Sequence, residues 1–221
     1  MCTRYISPEV AAFERHWHVG RQHPWRWPET AHEVFPNYMA PFIRAARDSS
    51  EPHREVVVGQ WSLIPWFAKE VKQKYATANA RSEELSEKAS YKLPWSRGQR
   101  CIIPAESFFE PNWETGKHIP WRFRSADGGL LGLAGLWNTW SDKSTGELHE
   151  SFTMLTLNAD QHPLMNRMHR PDPKRPPNMQ DKRSVVPISI ESVDTWLFGT
   201  VEEASKLIML PEVDSLAAAP S

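Results

Sequence analysis

Arg100-Cys101-Ile102-Ile103-Pro104-Ala105-Glu106-Ser107-Phe108-Phe109-Glu110 is an apolar run closed by a carboxylate, and its reading decides the fold. Cys101 to Phe109, rich in Ile and Phe, reads as a strand. It opens a succession of β runs: Pro120 to Phe123, Leu130 to Trp137, Phe152 to Leu157, and Val185 to Ile188. Asp127-Gly128-Gly129 and Ser144-Thr145-Gly146 separate neighbouring runs as hairpin turns do. On the N-terminal side, Glu55 to Trp61 contains Val56-Val57-Val58 and reads as a further strand. Helix signals cluster outside this block. Ser7-Pro8-Glu9 supplies an N-cap, an N1 proline and an early acid, followed by Val10, Phe13 and Trp17 at helical spacing. Ser82-Glu83-Glu84-Leu85 opens a second helix toward Tyr91, and Ile190 to Phe198 and Val201 to Ile208 read as two more.

Strands in the middle with short helices before, between and after them predict an α+β single domain with a curved, mostly antiparallel, barrel-like sheet. The 221 residues are ample for one core. The domain is expected over residues 2–210. The tail from 211, Ser215 to Ser221 above all, is small and polar enough to fray. His23 to Pro41, rich in Pro and Trp with weak periodicity, reads as an ordered irregular loop.

Formal net charge is −1, which excludes a protein that holds duplex nucleic acid by a global basic field. Any nucleic-acid site must be a local basic groove. Eleven Trp supply flat surfaces for a core or for stacking on bases. Trp17, Trp95, Trp121, Trp137 and Trp196 lie in or beside apolar runs and read as core. Cys2 and Cys101 are the two cysteines, too few for a disulfide scaffold and without zinc-site spacing, so a reducing compartment, no metal and no cofactor are expected. His16 and His18, two apart near a helix end, point in different directions and make no metal pair. Cys101, inside a strand, reads as an inert buried thiol. No secretory core or membrane span is visible, which predicts a soluble cytosolic protein.

Cys2 directly follows Met1. Loss of that methionine would expose a 1,2-aminothiol, whose amine forms an imine with an aldehyde and whose thiol then closes a five-membered thiazolidine. Three further polar residues adjoin the strands. Asn79 either caps a helix or serves a site. Glu110 either marks a strand leaving the core or, partly buried, has a raised pKa and moves protons near neutrality. His169 in Leu164-Met165-Asn166-Arg167-Met168-His169 is either a loop residue or a general acid/base.

In order, Met1-Cys2-x-Arg4, Met39-Ala40-Pro41, Trp61-Ser62-Leu63-Ile64-Pro65, Asn79-Ala80-Arg81-Ser82-Glu83, Arg100 to Ala105 ending at Glu110, Ala134-Gly135-Leu136-Trp137, and Leu155-Thr156 followed by His169 and Arg183 resemble the SOS-response-associated peptidases (SRAP), which process abasic sites. The resemblance covers roughly Met1 to Phe198. It implies binding of single-stranded DNA or single-to-double-strand junctions, and a lyase-type enzyme whose Cys2 forms a covalent thiazolidine with the ring-opened abasic aldehyde. It also implies removal of Met1, by the chain itself or by an aminopeptidase, and a monomeric protein found on the nucleoid when DNA is damaged. By motif, Asn79 would orient the terminal amine or the opened sugar, Glu110 would move protons, and His169 would assist ring opening and reversal. Arg4, Arg81 and Arg183, with Thr156, would contact phosphates, and Pro41 and Phe67 would wedge or stack against bases.

Three departures from the family's pattern stand out. The family's His-x-Arg-Met-Pro is interrupted, since Arg170 to Gln180 separates His169 from Lys182-Arg183, and His162 is a rival for the histidine. Pro111 replaces an aromatic residue, and Thr3 a glycine. Arg170, Lys174 and Arg175 among the prolines of the inserted stretch predict a semi-rigid basic flap near the DNA path. Two other function classes fit a terminal cysteine beside DNA-contacting residues: an N-terminal-nucleophile amidase or protease, and a junction-binding module without chemistry.

Overall fold

The computed structural model describes residues 1–19, 33–47 and 51–221. In chain order these form β1 (Tyr5–Ile6), α1 (Val10–Trp17), β2 (Glu33–Val34), β3 (Met39–Ala45), β4 (Arg54–Trp61), β5 (Asn79–Arg81), α2 (Ala89–Ser96), β6 (Arg100–Ala105) and β7 (Ser107–Asn112). The C-terminal half adds β8 (Ile119–Ser125), β9 (Leu131–Ser141), β10 (Leu148–Asn158), β11 (Arg183–Val185), α3 (Val193–Phe198), α4 (Val201–Ser205) and β12 (Leu216–Pro220).

Five strands close on themselves in the order β10-β4-β3-β6-β9, with β9 returning to β10, so the expected barrel-like core is present. Closure brings backbones unusually close. A Cβ on Gly135 would sit 2.7 Å from the Thr153 carbonyl oxygen and 2.8 Å from Cys101 Sγ, and only glycine fits there. One pairing in the ring is parallel, Phe152 beside Trp61; the others are antiparallel. At the far end of β10, β5 adds in parallel, setting Met154 opposite Asn79, and β11 adds antiparallel. A second, wholly antiparallel sheet runs β12-β8-β7-β1-β2.

Alternation along the strands splits the core in two. Cys101, Ile103, Phe42, Phe152 and Met154 join an inner cluster that also holds Cys2, Phe108 and Phe123. Ile102, Ile43, Ala134 and Leu136 point the other way, onto a layer built from Phe13 and Trp17 of α1, Trp95 of α2 and Trp196 of α3. Both faces of β6 are therefore buried, which is why its sequence is continuously apolar. Burying a side chain such as Phe13 contributes about 1.5–3 kcal/mol.

Several expectations change. Cys101 to Phe109 is two strands in different sheets: after Ala105 the chain leaves the barrel, and Glu106 donates its N–H to Ile6 O at 2.8 Å. Asp127-Gly128-Gly129 likewise turns the chain from one sheet to the other, while Ser144-Thr145-Gly146 does close a hairpin, β9–β10. The helix expected from Ser82 is a single 3-10 turn, Ser82–Glu84; Lys88 is extended, and the α-helix begins only at Ala89. The C-terminal tail is ordered, because Leu216 to Pro220 pair along β8 from Ser125 to Trp121. Of the loop expected at His23 to Pro41, residues 23–32 lie outside the described residues, and Met39-Ala40-Pro41 belongs to β3. α1 starts at Val10 with Glu9 in the capping position and no side-chain cap.

Candidate active site

The first four residues run alongside β7. Phe109 N donates to Arg4 O at 3.0 Å and Tyr5 pairs with Phe108, which draws Cys2 into the inner cluster, fully buried. Asn79 Nδ2 donates to the Cys2 carbonyl at 2.7 Å. Asn79 is placed by the pairing of β5 on β10 and by Tyr91, whose hydroxyl donates to Asn79 O at 3.2 Å. The capping alternative for Asn79 is thereby set aside, since Arg81 holds the capping position of the following turn.

Glu110, 2% exposed, lies on β7 opposite Trp121. Its Oε2 is 3.7 Å from the Met1 ammonium and 3.1 Å from His169 Nε2. The ammonium in turn lies 2.9 Å and 3.0 Å from the two ring nitrogens of His169. No well-directed hydrogen bond reaches either carboxylate oxygen among the described residues. Burial accordingly pushes Glu110 up to about 7, against the pull of the ammonium.

His169 is held by its backbone. It adopts a left-handed conformation, φ 62°, uncommon for a residue with a Cβ. Its N–H donates to Pro111 O at 2.7 Å, and Lys182 Nζ donates to Met168 O at 2.6 Å and His169 O at 2.5 Å. Lys182 is itself buried, which lowers its pKa, and its backbone is fixed by Asp160. The ring of His169 is pulled down to about 3, by burial first and then by the ammonium and Lys182. His162 is elsewhere employed: its Nδ1 accepts from the N–H groups of Leu164 and Met165, and its Nε2 lies 2.8 Å from Pro211 O. Of the two histidines, His169 is the one beside Glu110.

The Cys2 thiol is pushed up to about 12 by burial, with Glu110 adding to the rise, and it donates to Arg4 O at 3.4 Å. At neutral pH the site therefore holds a protonated thiol, a carboxyl near half ionisation and a neutral imidazole. A thiol in that state needs a proton acceptor before it can attack.

The residues expected to meet DNA divide by exposure. The Arg4 side chain is 37% exposed, ion-paired with Glu33, and lies 4.0 Å above the Phe109 ring. Arg81 is 39% exposed and paired with Asp181 and, at 3.5 Å, with Glu84. Arg183 is buried, bonded to Glu83 at 2.6 Å and to Thr156 O at 2.8 Å. Thr156 is buried too and donates to Ala80 O at 3.3 Å. Neither Arg183 nor Thr156 presents its side chain to a passing strand; both lock β10, β11 and the 3-10 turn behind Arg81. Pro41, expected as a wedge, is buried inside β3 against β4. Phe67 is exposed as expected, edge-to-face with Trp66 at 5.6 Å. Trp66 and Tyr38 are also large and exposed, and neither lies in the motifs above; Met39, in its motif, is exposed as well. Two adjacent aromatic residues in the polar stretch after Pro65 were the available signal for Trp66. Lys182 was likewise missed, although a lysine opening the buried run Arg183 to Val186 was a signal.

The inserted stretch is exposed, with Gln180 Nε2 tying together the carbonyls of Arg175 at 3.0 Å and Pro176 at 2.8 Å. Arg175 is paired with Asp172 and Asp181, and Arg170 lies over Trp113. Among the described residues no group of three His, Cys, Asp or Glu is placed to hold a metal, and no helix is long and apolar enough to cross a membrane.

Residues 1–220 match the family model described as SOS response associated peptidase (SRAP). The chain is 37% identical over 111 residues to the abasic site processing protein YoqW of Bacillus subtilis, covering 50% of this chain and 48% of that protein. It is 26% identical over 199 residues to the abasic site processing protein HMCES of Xenopus tropicalis, covering 79% of this chain and 54% of that one. The match thus spans about half the length of these relatives. A crystal structure of a Bordetella bronchiseptica protein superposes with a TM-score of 0.83 at 32% identity, covering 100% of this chain and 99% of that one.

Proposed function

The chain belongs to the SOS response associated peptidase family, and from that premise we propose that it captures abasic sites in single-stranded DNA, or at single-to-double-strand junctions, through Cys2. The observation that carries this reading is the grouping of the N-terminal backbone, a buried carboxyl and a neutral imidazole within 2.9 to 3.7 Å of one another, with Asn79 fixing the Cys2 carbonyl. The names of the relatives supply the substrate class.

Hydrolysis of the Met1–Cys2 peptide bond releases methionine and frees the Cys2 amine. That amine adds to the aldehyde of the ring-opened abasic sugar, and the carbinolamine loses water to give an imine. The Cys2 sulfur then adds to the imine carbon while the nitrogen takes up a proton, closing the thiazolidine. Glu110 accepts the thiol proton and returns it to nitrogen; its pKa near 7 lets it do both at neutral pH. His169, neutral and within reach of Glu110, passes protons to the sugar oxygen during ring opening and the reverse reaction. Asn79 holds the terminal residue so that amine and thiol face the same carbon, which makes ring closure intramolecular. Arg4 and Arg81 hold flanking phosphates, and Trp66 with Phe67 offers a stacking surface to bases. The adduct shields the lesion from strand cleavage.

Purified protein mixed with an abasic single-stranded oligonucleotide should give an adduct that survives denaturation, absent with Cys2→Ala. A Cys2→Ala protein that still gives the adduct would remove Cys2 from the chemistry. Turnover of an amide substrate without any DNA adduct would support an amidase in its place.

A further inference from the structure

Arg122 and Arg124 stand two residues apart on β8, so they share one face of the outer sheet, while Phe123 between them is fully buried and stacks on Phe108. Register sets Arg122 between Phe109 of β7 and Ala219 of β12, and Arg124 beside Ala217. The alanines are too short to fill that surface, which leaves a channel of about 510 Å³ walled by Arg4, Arg122 and Arg124 and floored by Phe109. Two of the guanidinium groups lie over that ring, Arg4 at 4.0 Å and Arg122 at 5.9 Å.

Positive charge is in surplus here. Arg4 is paired with Glu33, but among the described residues no carboxylate lies within ion-pair distance of Arg122 or Arg124. Arg122 donates to Ser107 Oγ at 2.9 Å, and its acidity is raised by burial first and then by Arg124 and Arg4, with Glu106 opposing. The charges of Arg124 and Arg4 oppose that of Arg122, and an anion in the channel would offset that repulsion. Cys2, Glu110 and His169 do not line the channel, and strand alternation sets Phe109 and Arg122 on the opposite face of the sheet from Glu110. Arg4, whose carbonyl accepts from Cys2 Sγ, is the residue that the channel and the Cys2 site share.

We propose that this channel is a second phosphate track, in which Arg122 and Arg124, continuing from Arg4, hold the sugar-phosphate backbone of one arm of the DNA strand as it leaves the lesion. The proposal rests on the reading of Cys2 as the capturing residue. Exposed guanidinium forks match phosphate oxygens in pairs, and an apolar floor beneath them suits the sugar face of the strand.

Binding of an unmodified single-stranded oligonucleotide, measured from about 50 to 200 mM salt, tests it. Losing two phosphate contacts in Arg122→Gln/Arg124→Gln should flatten the slope of log K against log salt by about 1.4, and the double lysine variant should restore most of it. Arg124→Gln alone, whose arginine makes no side-chain hydrogen bond among the described residues, should flatten it by about 0.7 and serves if the double variant is unstable. With the abasic site placed at one end or the other of the oligonucleotide, the deficit should follow one arm only. An unchanged slope, or an equal deficit with either arm, would overturn the track, as would loss of binding to an acidic peptide with DNA binding intact. If wild type itself forms no adduct, the Cys2 reading fails, and the salt slope still decides whether the track exists.

Discussion

Cys2 and Cys101 invite comparison because they are alike in every simple respect: both are free, both are fully buried in the same inner cluster, and burial raises the pKa of both thiols. They differ in what surrounds them. Cys101 sits in β6 against the backbone of Gly135, with Arg44 and Tyr5 as electrostatic neighbours. Cys2 has an amide on its carbonyl, a carboxyl tuned to about 7, and the chain's own ammonium and an imidazole close to that carboxyl. The lesson is that a depressed thiol pKa does not mark this site. A protonated thiol becomes useful where a buried proton acceptor and a second nucleophilic atom are placed beside it.

The sharpest way to break the comparison is to exchange the fates of the two cysteines. Cys2→Ala should abolish the DNA adduct, whereas Cys101→Ala should keep it and lose about 1 kcal/mol of stability, seen as a lower melting temperature. Adduct loss in Cys101→Ala with the fold intact would erase the distinction. Next in size, Glu110→Gln should slow cross-linking by about 10²–10⁴ while leaving DNA affinity unchanged. Wild-type rate should rise with pH through about 7 as Glu110 ionises, and the variant's profile should be flat there.

The same carboxyl makes a stability prediction with a definite sign. Its folded pKa, near 7, lies above the ordinary carboxylate value of 4.5, so the native state favours the protonated form. That advantage is complete below the unfolded value and is lost as pH rises through about 7, amounting to roughly 3 kcal/mol across the window. Glu110→Gln, which never ionises, should therefore melt above wild type at pH 8 and close to it at pH 4. Thermal melts of the two proteins across that range check it; a variant less stable at pH 8 would mean the carboxylate is held by partners rather than merely buried.

Smaller effects test the supporting residues. Lys182→Met keeps the bulk but removes the donor to the carbonyls of Met168 and His169. It should slow cross-linking by less than Glu110→Gln does, with DNA affinity retained, because the His169 backbone loses its anchor. Smallest of all, neutralising Arg170, Lys174 and Arg175 should flatten the salt slope of DNA binding by no more than about 1.4, since Arg175 is already paired with Asp172 and Asp181. An unchanged slope would place the inserted stretch away from the strand.

The sequence carried the class of fold and the strand block, because β propensity and turn residues are local properties. It did not carry partner choice. Nothing in Glu106-Ser107 announces that the chain leaves the barrel there for the second sheet, and nothing in Ala217-Ala218-Ala219 announces a partner strand, since short side chains carry almost no periodic signal. Motif order alone groups Cys2, Glu110 and His169, which the fold brings close together. Exposure was not legible: Pro41, Thr156 and Arg183 stand in the expected motifs, yet strand pairing and the ion pairs with Glu83 and Asp181 turn them inward. Lys182 escaped notice because a buried lysine is recognisable only once the carbonyls it serves are seen.

The most direct test is the intact mass of the protein after reaction with an abasic single-stranded oligonucleotide. The expected species is the chain without Met1 joined to the oligonucleotide less one water, since imine formation expels water and thiazolidine closure is an addition. A covalent product that retains Met1, or one that forms equally with Cys2→Ala, would contradict capture by the Cys2 amine and thiol.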